Sequence, residues 1–338
     1  MYTRVYAHDY WNVPGCPSGP GSFYLVDNMS DKEFKTTDEL IQLLIKRGMK
    51  ITGTQKSYAK KSLQRYGYYN LINGYNKLFI TTKIPEDKFK NGTTIEEIVA
   101  LYEFDCKLRN VFLTHILPFE INVKALIAYH FSKAYGYDNY LLFNNFDTSQ
   151  KDAHKKIADV ISDFQRQLST RANDPSIMHY LKQYGYVPLW VINNILTFGH
   201  VSKFYSIMKQ KDKMAISKTF HIMDDQLQSI LFYLSTVRNF CAHGNRLYCY
   251  RSQRPLIDMN IHNTLNIPIN NNEYIYGKRD LFACLLGLSY VLSKKEFRSI
   301  LKEIDDLLKE IKPNLHVINT EDILNEMGFP TDWKRQLS

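Results

Sequence analysis

No cysteine framework runs through these 338 residues. The five cysteines, Cys16, Cys106, Cys241, Cys249 and Cys284, are scattered, odd in number and nowhere spaced C-x-x-C, which argues against a disulfide scaffold and against a metal site built on thiolates. Buried free thiols are the expectation. No unbroken apolar run reaches bilayer length, and the opening MYTRVYAHDYWNVPG has neither an apolar signal core nor a small-residue cleavage site, so a cytoplasmic protein without a membrane partner is expected. Internal repeats are missing too. Acidic residues are in the minority, 34 against 43 Lys and Arg, which leaves a formal charge of +9 and favours a polyanionic partner without identifying one. The basic clusters are Lys60, Lys61 and Arg65; Lys155 and Lys156; Lys209, Lys211 and Lys213; and Lys294, Lys295 and Arg298. Most helical lysines merely solvate a face, so their sum carries more than any one cluster.

What is present is ample core material, 44% hydrophobic with 14% aromatic, arranged at helical spacing. Residues 1–33 are rich in Gly, Pro, Tyr and Ser and read as an extension. Helices are expected after Thr36 or Thr37, over residues 55–66, and through YYNLINGYNKLF, where Gly74 interrupts. The longest runs from a capping box at Thr93/Glu96 or Thr94/Glu97 to about residue 134, with Leu101, Phe104, Leu108, Val111 and Phe112 on one stripe and Pro118 as a kink. Further helices are expected near 149–168, 174–184, 213–220, from Asp224 or Asp225 to Gly244, and over 279–293, 295–311 and 319–328. The fold class is mainly α. One helical domain would cover 34–312, with a division into packed lobes at 34–148 and 149–312 left open, and 313–338 would be a tail with a short helix. Residues 247–278 are Asn-rich and aperiodic, either a surface excursion with short strands or an insertion that orders on a ligand.

The richest chemistry lies in VRNFCAHGNRLYCYR, residues 237–251. Arg238 can hold a phosphate, His243 can carry a proton near neutral pH, and Asn239 can orient either through an amide hydrogen bond. Such spacing also arises by chance. Arg246, Tyr248 and Arg251 follow and would extend a phosphate track, while Cys241 and Ala242 would pack the helix end. A similar series, Arg109, Asn110 and His115, sits in the longest helix, where the plain reading is an amphipathic helix with His115 at its edge. Asp105 and Arg109 stand four apart on one face as an ordinary helix pair would, and Glu120 lies three turns further on. His200, beside Gly199, reads as a packed or helix-end histidine.

RNFCAHGNRLYCYR resembles the RN-x-CAH-x-x-RL signature of the Abi-like abortive-infection proteins of the AbiD and AbiF type, in the HEPN superfamily of helical ribonucleases. Three further blocks agree in order: LQRYGYYNLINGYNKLF at 63–79, residues 89–131, and PLWVINNILTFGHVSKFYSIMK at 188–209. The resemblance implies a HEPN-like helical bundle with extra N-terminal helices. It also implies metal-independent endoribonuclease activity without a cofactor, in which Arg238, Asn239 and His243 act on RNA and leave 2′,3′-cyclic phosphates. Asp105, Arg109 and Glu120 would brace the site from the paired helix. Where the family has a second histidine and RLW, this chain has Gly244, Asn245 and RLY. One imidazole cannot easily serve as base and acid together, so a homodimer with facing motifs is expected, restrained by a regulatory RNA or antitoxin. The competing reading is a non-catalytic scaffold that holds RNA or a partner protein.

Overall fold

The computed structural model describes residues 34–82 and 87–337. The expected 1–33 extension and Cys16 lie outside them. Local chemistry sets the first elements. Thr36 and Glu39 close a reciprocal capping box on α1 (Thr37–Lys46), and α2 (Gln55–Tyr66) stops at Gly67, whose φ of +78° ends a helix without a Cβ penalty. The aromatic stretch that follows is wound more loosely than a regular helix, as a π-type turn at Tyr69–Asn73 and a 3₁₀ turn at Asn76–Leu78. A small antiparallel hairpin of β1 (Ile80–Thr82) and β2 (Lys88–Phe89) leads to α3 (Ile95–Tyr135), 41 residues long.

Only half of the expected capping box forms at α3. The Thr94 hydroxyl accepts from the Glu97 N–H, but the Glu97 carboxylate turns away from the cap and its Oε1 accepts from the N–H groups of His316, Val317 and Ile318. Three main-chain donors satisfy a buried carboxylate better than one. They also tie the C-terminal segment to the start of α3.

The chain continues through α4 (Ala153–Thr170), α5 (Pro175–Tyr184), the short α6 (Leu189–Ile192), α7 (Phe198–Ile207) and α8 (Gln210–Ser217) to α9 (Asp224–Ala242). Met223, rather than either aspartate, is the N-cap residue of α9, and the Gln226 side chain returns to its N–H. After α9 come α10 (Asn260–Thr264), a hairpin of β3 (Ile269–Asn270) with β4 (Glu273–Tyr274), α11 (Leu281–Val291), α12 (Lys294–Ile311), α13 (Thr320–Met327) and α14 (Trp333–Leu337). The protein is mainly α, as its periodicity predicts.

α3 is the axle of the packing. It lies against α6, α7, α8, α9 and α12, and α9 is enclosed in turn by α3, α7, α8 and α11. Neighbours on several sides explain why α3 buries residues all round, Phe104, Leu108, Phe112, Phe119 and Phe131 among them. By length and composition α3 is apolar enough to cross a bilayer, with a mean hydropathy of 1.4 over 18 residues, half of them buried in the protein. The expectation that nothing here reaches bilayer length is corrected to that extent, and the apolar content serves a core helix. One cluster of buried side chains runs from Ile41 to Trp333. The 313–338 segment joins it through Ile318, Ile323, Met327 and Phe329, so it is more firmly seated than a tail. Residues 247–278 form short strands and one turn of helix and bury Leu256, Met259 and His262.

Candidate active site

α9 ends where a glycine allows it. The His243 N–H still bonds to the Asn239 carbonyl, and Gly244 then turns the chain at a φ of +71°, a left-handed conformation that strains any side chain. Arg238 and Asn239 are therefore half-buried in the last turns, and His243 is exposed at the exit. Of the pair expected to pack this helix end, Cys241 is buried but Ala242 is exposed.

Arg238 is held from one side. Its Nε donates to Glu120 Oε2 on α3 at 3.1 Å, and Lys124 Nζ, one turn along, takes Glu120 Oε1 at 2.8 Å. Lys124 Nζ also donates to the Leu196 carbonyl at 2.8 Å, and its own carbonyl accepts from Asn193 Nδ2. With both oxygens of the buried Glu120 occupied, the carboxylate has no freedom to follow a ligand. The Nη1 and Nη2 groups of Arg238 make no hydrogen bond to any described residue, although the side chain is only 27% exposed. Those are the two nitrogens with which a guanidinium grips a phosphate. The side chains of Asn239 and His243 likewise have no hydrogen-bond partner among the described residues.

The segment after α9 is locked from below. Asp105 is fully buried on α3, where its carboxylate accepts from the N–H of Leu247 at 3.1 Å, the N–H of Tyr248 at 2.7 Å and the Tyr75 hydroxyl at 2.7 Å, besides Arg109 Nη1. Arg109 Nη1 reaches on to the Asn245 carbonyl at 3.2 Å. Burial pushes the Asp105 carboxyl above its usual range, and Arg109, Tyr75 and the two N–H groups pull against that shift. These two residues are not a helix-surface pair. They form a buried ion pair that fixes the chain two to five residues beyond His243.

The residues expected to extend a phosphate track separate here. Tyr248 is fully buried and stacked on Tyr75 with ring centroids 5.5 Å apart, so that expectation is corrected: the Asp105 carboxylate holds its N–H and the ring packs into the core beneath the segment. Arg246 stays exposed, with Nη1 donating to the Gly74 carbonyl at 3.0 Å. Arg251, also exposed, donates to the Tyr250 and Glu326 carbonyls. Both arginines tie main-chain segments together. The second series, Arg109, Asn110 and His115, forms no open site, since Arg109 is consumed as described and the buried His115 meets Glu303 Oε1 of α12 at 3.0 Å. Within the basic clusters Lys60 pairs with Asp38, Lys209 donates to the Asn144 carbonyl, and Lys213 is buried against Gln228.

Sequence reasoning missed Lys124 and undervalued His200. α7 is capped by Thr197, whose hydroxyl accepts from the His200 N–H while His200 Nδ1 accepts from the Thr197 N–H at 3.2 Å. A histidine thus takes the position usually held by Glu or Gln. The start of α7 lies against the end of α9, so close that a Cβ added to Gly199 would stand 3.8 Å from Asn239 Nδ2. The T-x-x-H spacing was the available signal.

Residues 61–249, more than half of the chain, match the model of a family described as Abi-like protein. No curated protein and no solved structure matches the chain.

Proposed function

The chain belongs to the Abi-like protein family, and on that footing we propose that it is an abortive-infection ribonuclease of HEPN type that cuts RNA without a metal. The observation that carries this reading is the end of α9: a guanidinium anchored through Nε alone, both terminal nitrogens open, one helix turn from an exposed imidazole. An exposed imidazole beside an open guanidinium adds a proton carrier to a phosphate grip, the pair of functions that strand cleavage needs.

In the proposed reaction His243 takes the proton from a ribose 2′-hydroxyl, and the 2′-oxygen attacks the adjacent phosphorus. The bond from phosphorus to the 5′-oxygen breaks, the 5′-oxygen leaves with a proton from an imidazolium, and the products carry a 2′,3′-cyclic phosphate and a 5′-hydroxyl. Arg238 Nη1 and Nη2 stabilise the crowded phosphate, which gains charge on the way to the transition state. Asn239 orients the phosphate or the base at its side. The second imidazole is His243 of the partner subunit, in a homodimer whose α9 ends face each other across a two-fold axis. Arg246 and Arg251 border the RNA path, and a regulatory RNA or antitoxin restrains the enzyme in the cell.

The test is cleavage of total RNA in EDTA by the wild type beside Arg238→Ala and His243→Ala. Fragments ending in cyclic phosphate from the wild type, with rates at least about 100-fold lower in both variants, are the expected result. Equal cleavage by all three removes the site. Tight RNA binding with no cleavage by any of them favours a non-catalytic scaffold.

A further inference from the structure

We propose that His200 belongs to the same site as a neutral phosphate-binding residue, whose Nε2–H donates to a non-bridging oxygen of the phosphate held by Arg238. This deepens the ribonuclease reading and rests on it. The geometry is a closed circuit of short contacts. Arg238 binds Glu120, Glu120 binds Lys124, and Lys124 binds the carbonyl of Leu196, the residue before the Thr197 cap of α7. From the other direction, Gly199 brings the start of α7 against Asn239. His200 follows Gly199 directly, in the first turn of the helix whose start meets both Lys124 and Asn239.

Its protonation state follows from its cap. Nδ1 accepts the Thr197 N–H, so the ring proton sits on Nε2, and Nε2 has no hydrogen-bond partner among the described residues. Burial disfavours the imidazolium, and the cations Lys203 on α7, Arg166 on α4 and Lys124 on α3 disfavour it further, with Asp163 of α4 alone opposing them. A neutral imidazole whose Nδ1 is held by the cap and whose Nε2–H is unpartnered among the described residues is a hydrogen-bond donor and not a base. No proton leaves it during the reaction. The arrangement gives the phosphate a third donor direction beside the two of Arg238, which a single guanidinium plane cannot supply.

The role is tested with His200→Gln, His200→Glu and His200→Ala in the full chain. Glutamine keeps both functions, since its carbonyl can accept the Thr197 N–H while its amide donates outward. Glutamate keeps the cap but removes the donor, and alanine removes both without adding charge. Two readouts separate this inference from the one beneath it: binding of a 2′-O-methyl single-stranded RNA, which lacks the nucleophile, and cleavage of the natural oligonucleotide between pH 6 and 8. His200→Gln should bind and cleave within about threefold of the wild type with the same pH profile, while the glutamate and alanine variants lose about tenfold or more in both. Circular dichroism should show His200→Glu folded like the wild type. Wild-type behaviour of the glutamate and alanine variants would reduce His200 to a cap and overturn the proposal. A glutamine variant as damaged as alanine, or one that loses a limb of the pH profile, would show that the ring transfers protons and overturn it as well. A wild type that neither binds nor cuts RNA would overturn the ribonuclease reading and this role with it.

Discussion

Two arginine, asparagine and histidine series stand in this chain on helices that pack against each other, and their surroundings could hardly differ more. Arg109 is buried on α3 and meets Asp105, Tyr75 and the Asn245 carbonyl, while His115 is buried against Glu303. Arg238 meets one carboxylate through one nitrogen, and the exposed side chain of His243 has no hydrogen-bond partner among the described residues. Identical residue types therefore stand in opposite surroundings. In the first series the arginine and the histidine are both engaged by partners across the fold, which suits a brace; in the second, the groups that could bind and transfer are open, which suits a site. The two are joined, because the Asp105 carboxylate closes on the N–H groups of Leu247 and Tyr248, just past the histidine of the other series.

The largest expected effect falls on the closed series. Asp105→Ala leaves a buried guanidinium and two buried N–H groups unpaired and should cost about 3–5 kcal/mol of stability in urea unfolding; a loss under 1 kcal/mol would mean the brace is not needed. Sharing of the open series between subunits is tested by mixing. If each wild-type site borrows the partner's imidazole, equal amounts of wild type and His243→Ala, allowed to exchange, should show about one quarter of the unmixed wild-type rate at equal total protein. Independent sites would show one half. A smaller effect is expected for His115→Ala, about 1 kcal/mol with cleavage unchanged, since Glu303 is largely solvated at 40% exposure. Smallest is Tyr248→Phe. The Tyr248 hydroxyl is buried without a partner among the described residues, so removing it should leave cleavage intact and stability equal or higher by up to about 1 kcal/mol. A drop in RNA affinity would return Tyr248 to the phosphate track.

Much of the fold was legible because it is local. Thr36, Gly67, Thr94, Asp174 and Gly244 mark helix ends by side-chain or backbone chemistry that a sequence displays, and the apolar stripes of α3 and α9 lie where their spacing puts them. The open site was legible in part, as Arg238, Asn239 and His243 sit together at a helix exit. What no spacing could reveal are the partners across the fold. Asp105 and Arg109 look like a solvated i, i+4 pair until α9 and its exit segment close over them. Glu97 looks like a cap until residues 316–318 arrive. Tyr248 looked exposed because a loop was expected around it, and His200 looked idle because Asn239, which lies against the adjoining Gly199, is 39 positions away from it in the sequence.

The contrast between the two series meets its most direct test in Arg238→Ala and Arg109→Ala, each measured for unfolding free energy and for the EDTA-resistant cleavage rate per folded molecule. Arg238→Ala should lose at least about 100-fold in rate while keeping its stability within about 1 kcal/mol, because Glu120 retains Lys124. Arg109→Ala should lose about 3–5 kcal/mol while the fraction that remains folded still cleaves. The reverse pattern, a folded Arg109→Ala protein that has lost cleavage beside an Arg238→Ala protein that cuts at the wild-type rate, would contradict the assignment of brace and site.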